Sequence, residues 1–222
     1  MCGGGAVATL VLPVPSQSTC ATRISTFRRR ARGVTDVICT IGFTPSFVAE
    51  EDRRAAEEID YLATVRLIRA CEAVALPGRF VLVSSLGVGA SSQSAQLLDA
   101  TLGRVLERKG QAEAALRRST LDWTIVRPGL LQQDKAFGGV LLGPAARWIG
   151  GETDDVGLGS SVKCASPFLA SSGAVCATTR RQVADVCVES LRGGEAWTRR
   201  TVEMVSRPEV PLGTMRWADA LL

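Results

Sequence analysis

Three short clusters of small, polar or backbone-special residues stand where apolar runs end. Thr40, Ile41 and Gly42 follow "VTDVIC", Ser84 and Ser85 follow "RFVLV", and Arg127, Pro128 and Gly129 follow "LDWTIV". A further reactive group is the ammonium of Lys109, one of only three lysines, with Lys135 and Lys163. The chain has no histidine, which excludes Ser-His-Asp and Cys-His catalysis and the common histidine-containing zinc sites. Its chemistry must therefore use Ser, Lys, Asp, Glu, Arg or a bound cofactor, and no metal site is predicted.

The patterns between these clusters say what must position them. Residues 34–42, 79–87 and 119–131 are apolar, partly β-branched runs closed by Gly or Pro, and each predicts a buried strand. Between the first two, acids crowd the first turns of a stretch from Glu50 to Ala75. Ile59, Leu62, Ala63, Leu67, Ala70, Cys71 and Val74 recur along it at helical spacing until Pro77-Gly78 ends it. A polar loop, Ser91–Gln96, leads to a second helix predicted over Leu97–Arg118, with Leu98, Leu102, Val105, Leu106, Ala112 and Leu116 as its apolar positions. Strands alternating with helices of this length predict a Rossmann-like, doubly wound α/β parallel sheet covered on both faces. Ligands of such sheets bind outside the strand carboxyl ends, so the three clusters would share one cleft. Further on, "TRRQ" fits a capping box, Thr179 with Gln182, ahead of Val183, Val186, Cys187 and Leu191, and "RTVEMV" (200–205) predicts a closing strand.

Composition bounds the rest. At 222 residues, 46% hydrophobic and 22% charged, the chain is long enough for one domain with a sizeable core. No apolar run approaches the ~18 residues of a membrane-spanning helix. A net charge of +4 without interleaved aromatics gives no support to nucleic-acid binding. Seven cysteines, odd in number and without a CxxC pair, read as reduced thiols. Residues 1–35 carry Arg23, Arg28, Arg29, Arg30 and Arg32 and no acid, as organellar transit segments do, which points to a plastid; the alternative is a frayed or misassigned start in a cytoplasmic protein. The domain reading is an atypical segment at 1–33, a dinucleotide-binding domain at 34–205 interrupted by a Gly/Ser-rich loop at 150–178, and a tail at 206–222.

In order, "VICTIGF", "IDYLATVRLIRAC", "RFVLVSSLGVGA", "RKGQAEAALRRSTLDWTIVRPGLL" and "TRRQVADVCVESL" resemble the atypical short-chain dehydrogenase/reductases, of the NmrA-like and plastid type. The resemblance covers residues 34–205 apart from the 150–178 loop. It implies an NAD(P)-binding protein, with NADP preferred to NAD, that moves hydride between nicotinamide and a small carbonyl or alkene substrate. Ser85 falls on the family's active-site serine, which hydrogen-bonds the substrate oxygen. Lys109 falls on the lysine of the YxxxK motif, which bonds the nicotinamide ribose; read from the residues alone, it pairs with Glu113 on a solvated helix face. Thr40, Ile41, Gly42, Ser84, Ser85, Lys109, Arg127, Pro128 and Gly129 are then the cofactor-binding set, with Arg127 anchoring the strand end or a carboxylate.

Two departures from the family pattern stand out. Val105 occupies the tyrosine position of YxxxK, and the only tyrosine, Tyr61, lies on another helix. No GxxGxxG or GxGxxG precedes Val34, so the fold is expected to be incomplete at its N-terminus, with an open sheet edge and no phosphate cradle. A shortened product of a full-length reductase-like gene, a degenerate paralogue, or a subunit whose edge a protein partner covers would each account for this. A non-catalytic NAD(P)-sensing or assembly scaffold is the alternative function.

Overall fold

A computed structural model of the chain describes residues 33–44, 46, 48–89, 99–100, 103–132, 138–145 and 177–217. The expectations for the N-terminal segment, for the 91–96 loop and for most of the 150–178 loop lie outside the described residues.

The three predicted central strands form where the apolar runs stand: β1 (Val37–Cys39), β2 (Arg79–Val83) and β3 (Asp122–Pro128). Each is shorter than its run, so Thr40–Gly42 and Ser84–Leu86 lie just past the strand ends. Beyond them come β4 (Leu130–Gln132), β5 (Gly139–Pro144), β6 (Ala177–Thr179), β7 (Arg200–Arg207) and β8 (Met215–Trp217). The main sheet has six strands in the order β1-β2-β3-β7-β5-β8, while β4 and β6 form a separate parallel pair. β1, β2, β3 and β7 run parallel, in register Val37↔Phe80, Val81↔Thr124 and Val126↔Val202. β5 is antiparallel to β7, which the sequence reading missed because the run 139–144 carries two glycines and a proline. The sheet also extends past the predicted end of the domain. β7 continues through Arg207 and β8 adds an edge, with Trp217 packed on Trp197 at 5.3 Å, so residues 206–217 are sheet and turn and not a tail.

The stretch from Ala49 to Ala73 is helical throughout, but in three geometries: α1 (Ala49–Ala55), a π-helix (Ala56–Ala63) and α2 (Thr64–Ala73). The second predicted helix is broken. Gly103 (φ 69°) and Arg104 (φ 62°) are both left-handed, and α3 starts only at Val105 (Val105–Arg117). Asp99 makes the break tenable, because its carboxylate accepts from Leu106 N (2.6 Å) and Glu107 N (3.1 Å), two of the N–H groups that a new helix leaves unpaired. A Cβ at Gly103 would collide with the backbone of Asp52, so only glycine permits α1 and this corner to meet.

Strand alternation divides the core in two. Phe80, Leu82, Trp123 and Ile125 pack with Leu67, Ile68 and Leu116 of the α2–α3 layer. On the other face Val81, Val126, Val202 and Met204 pack with Val183 and Val186 of α4 (Arg180–Arg192). The expected doubly wound α/β architecture is thus present, and among the described residues β1 is paired on one side only. At the amino end of the sheet, buried Arg79 bonds Asp122, Ser190 O, Gly194 O and Thr198, tying β2 to the end of α4 and the 3-10 turn Gly194–Trp197.

The capping box at Thr179 is formed as predicted: Gln182 N donates to Thr179 Oγ1 (3.2 Å) and Thr179 N donates to Gln182 Oε1 (3.0 Å). Thr179→Ala is expected to destabilise the protein by about 1 kcal/mol, the usual size of a lost N-cap. Urea unfolding should show a lower midpoint with an unchanged slope.

Candidate functional site

A carboxylate that sequence reading passed over organises the strand carboxyl ends. Glu113, on α3, has a side chain with no exposed surface. It accepts hydrogen bonds from Ser84 Oγ (2.6 Å), Arg127 Nε (2.9 Å), Arg127 Nη2 (2.7 Å) and Arg117 Nη2 (2.8 Å). Strand periodicity explains the convergence. Ser84 continues the Phe80–Leu82 face and Arg127 the Trp123–Ile125 face, so both turn toward α3. Arg127 Nη1 also lies 3.6 Å from Glu203 on β7. Burial on its own would raise the Glu113 carboxyl, but the bonds from Arg127 and Ser84 and the charge of Arg117 outweigh it and hold the group below its ordinary value. Ser84 and Arg127 are thereby engaged inside the protein: Arg127 anchors a strand end, and the carboxylates it meets belong to this chain.

One turn earlier on α3, Lys109 faces a different acid. Its Nζ lies 2.7 Å from Oδ1 of Asp60, whose side chain is fully buried in the π-helix. The solvated pair with Glu113 read from the sequence is not formed, because Glu113 points into the sheet. Asp60 Oδ2 accepts from Phe43 N (3.2 Å), which fastens the loop after β1 to the same carboxylate. A Cβ on Gly42 would stand 3.5 Å from both Asp60 Oδ1 and Lys109 Nζ, so the bare backbone at Gly42 keeps space open beside the ammonium. Extra residues wound into a helix as π turns recur at functional positions, and here they carry the partner of the lysine.

The remaining predicted residues line up along the strand ends. Ser84 N donates to Val126 O (2.8 Å), Leu86 N to Pro128 O (2.8 Å) and Gly129 N to Met204 O (3.2 Å), extending the ladder from β2 through β3 to β7. Ser85, half-buried and of opposite parity to Ser84, donates among the described residues to Leu86 O at 3.2 Å. Thr40 is exposed, and Ile41 packs on the core. A cavity of about 480 Å³ opens between the 87–89 turn and the adjoining face of α3, with Gly87, Asp99, Gly110, Glu113 and Arg127 on its walls. Cys39, Cys71 and Cys187 are buried free thiols, and burial pushes the latter two up to about 12.

Asp60 and Glu113 are the functional-site residues that sequence reasoning missed. Each is an acid set among apolar helix positions, Asp60 beside Ile59 and Ala63, Glu113 beside Ala112 and Leu116. That placement is the signal that could have found them, because a carboxylate on a buried face requires a partner.

A mostly parallel sheet wound by helices on both faces, with a lysine, a glycine and a serine hydroxyl near its carboxyl ends, has the Rossmann-type architecture. The chain belongs to the NAD(P)H-binding family, whose sequence pattern matches residues 20–157. It is 32% identical over 180 residues to an uncharacterized chloroplastic protein of Arabidopsis thaliana, covering 79% of this chain and 53% of the relative. It is 39% identical over 97 residues to the chloroplastic protein TIC 62 of Oryza sativa subsp. japonica, covering 44% of this chain and 19% of the relative. The chain thus spans about half the length of the first of these relatives and about a fifth of the second. A short-chain dehydrogenase/reductase from Veillonella parvula, solved with NADP, shares the fold at a TM-score of 0.51 and 12% identity, covering 83% of this chain and 69% of that one. The expected NAD(P)-binding family and Rossmann-like fold are borne out, and both relatives are chloroplastic proteins. Among the described residues no helix is long and apolar enough to cross a membrane.

Glu113→Ala, which removes the acceptor shared by buried Ser84 and the Arg127 fork, is expected to cost about 3–5 kcal/mol of stability in urea unfolding. Acid should act on the same group. Its folded carboxyl titrates below the unfolded value of about 4.3, so its stabilisation is complete above that value and is lost as the pH falls through the lower, folded one. In Glu113→Gln the acid-induced fall in melting temperature should be shallower than in wild type.

Proposed function

We propose that this protein binds NADP or NAD with the nicotinamide ribose at Lys109, and that it is an oxidoreductase acting on a small carbonyl or alkene substrate. The single observation that carries the reading is the Lys109–Asp60 pair, held beside Gly42 at the carboxyl end of the parallel sheet. The residues present fit the nicotinamide end of a dinucleotide. Lys109 offers an ammonium to ribose hydroxyls and Gly42 permits close approach of the backbone, while Ser85 at the next strand end offers its hydroxyl to the substrate. Asp60 is the positioning residue of the set, since it orients Lys109 Nζ and, through Phe43 N, the Gly42 backbone.

When bound, the nicotinamide supplies or takes up the hydride. Ser85 Oγ, whose bond among the described residues is the long one to Leu86 O, can turn and donate to a substrate oxygen as charge grows there. Val105 stands on α3 four residues before Lys109, where the family places its phenol, so Ser85 is the hydroxyl we assign to the reacting group. Glu113 and Arg127 act through the scaffold, fixing α3 against β2 and β3 so that Lys109 and Ser85 keep their separation. NADP is the first dinucleotide to try, because it is the one held by the Veillonella parvula neighbour.

Calorimetric titration with NADPH and NADH tests the proposal. Wild type is expected to bind at least one of them, Lys109→Ala to bind about tenfold or more weakly through loss of a charge-assisted bond worth about 1.5–3 kcal/mol, and Ser85→Ala to bind unchanged. Equal binding by wild type and Lys109→Ala would remove the ribose role.

A further inference from the structure

Arg207 ends β7 at 8% exposure, and among the described residues its Nε and Nη2 are buried without a hydrogen-bond partner. Its strand neighbour shows where the side chain points. Ser206 Oγ donates to Gln182 Oε1 at 2.6 Å. Successive strand residues face opposite ways, so Arg207 turns away from Gln182. On β7 that opposite face also carries Glu203, which meets Arg127, so Arg207 lies on the α3 side of the sheet. It stands farther along β7 than Met204, the acceptor of Gly129 N, and directly before the exposed Pro208 and Glu209. The guanidinium therefore sits past the carboxyl end of β3 and close to solvent, on the same side of the sheet as the Lys109 helix.

We propose that Arg207 is an oxyanion subsite that receives a carboxylate or phosphate group of the substrate. A desolvated guanidinium with Nε and Nη2 unused matches the fork of a carboxylate or phosphate. A buried charge without a partner weakens the protein that keeps it, and such groups concentrate where a ligand completes them. The inference rests on the reading of the strand carboxyl ends as the substrate cleft and assigns that cleft an anionic substrate.

Thermal unfolding of the full chain tests it, with wild type, Arg207→Met and Arg207→Lys each measured in sodium chloride and, at equal ionic strength, in sodium acetate, succinate or phosphate. Three results are expected together. Arg207→Met melts higher than wild type in chloride, because it removes an unpaired buried charge. Wild type gains a few degrees in at least one oxyanion, with acetate and succinate separating carboxylate from phosphate recognition. That gain vanishes in Arg207→Met and survives in part in Arg207→Lys. A wild type indifferent to all three anions, a gain that persists in Arg207→Met, or an Arg207→Met that melts lower or fails to fold would each overturn the subsite. NADPH titration of the same wild-type sample reports separately on the dinucleotide reading, so failure of one is distinguishable from failure of the other.

Discussion

The buried carboxylate of Glu113 is the interaction on which the rest of the site depends. A single acid without exposed surface accepts from Ser84 on the loop after β2, from Arg127 at the end of β3 and from Arg117 on its own helix, while Arg127 reaches on to Glu203 of β7. Three neighbouring strands and α3 thus meet at one charge. Hydrophobic packing of Leu116 and Ile125 brings the helix to the sheet but does not fix its rotation or axial position. The bidentate Arg127 fork does, because two parallel N–H bonds tolerate little displacement. Lys109 sits one turn away on the same helix, so its position relative to Ser85 and Gly42 follows from this contact.

The second constraint is local. A helix in regular α geometry carries its side chains forward by about 100° per residue, and the π-helical stretch Ala56–Ala63 departs from that advance. Asp60 lies inside it, and its two oxygens divide the work: one meets Lys109 and the other receives Phe43 N. Strand end, helix α3 and π-helix are thereby joined by one buried acid at the side of the sheet where β1 is the last strand among the described residues. The two acids are complementary. Glu113 sets the helix, and Asp60 sets the ammonium that the helix carries.

Much of this architecture was legible in the sequence, and the reasons are specific. β-branched runs closed by breakers marked β1, β2 and β3, since buried parallel strands are apolar on both faces and end where the chain must leave the sheet. The Thr179–Gln182 box marked the start of α4 because its two reciprocal bonds need only residues three apart. What stayed hidden depended on contacts distant in sequence or on backbone geometry that periodicity does not encode. Residues 139–144 pair with β7 residues far along the chain, from Gly139↔Arg207 to Pro144↔Val202, and nothing local signals their direction. The break at Gly103–Arg104 disrupts no apolar spacing. Arg127 read as a ligand anchor and Glu113 as a solvated helix acid, although each is the other's partner across 14 residues. Lys109 was legible as a candidate, but Asp60 was not, because the distance from residue 60 to residue 109 is closed only by the fold.

The central claim is that the strand carboxyl ends, with Lys109, hold the nicotinamide end of a dinucleotide. Backbone hydrogen exchange of the full chain, measured with and without saturating NADPH, tests it most directly. The account predicts added protection confined to Gly42–Phe43, Ser85–Leu86, the first turns of α3 around Lys109, and Gly129, together with whatever segment meets the pyrophosphate. Protection that leaves these amides unchanged while NADPH binds elsewhere, or no change anywhere in the chain, would contradict it.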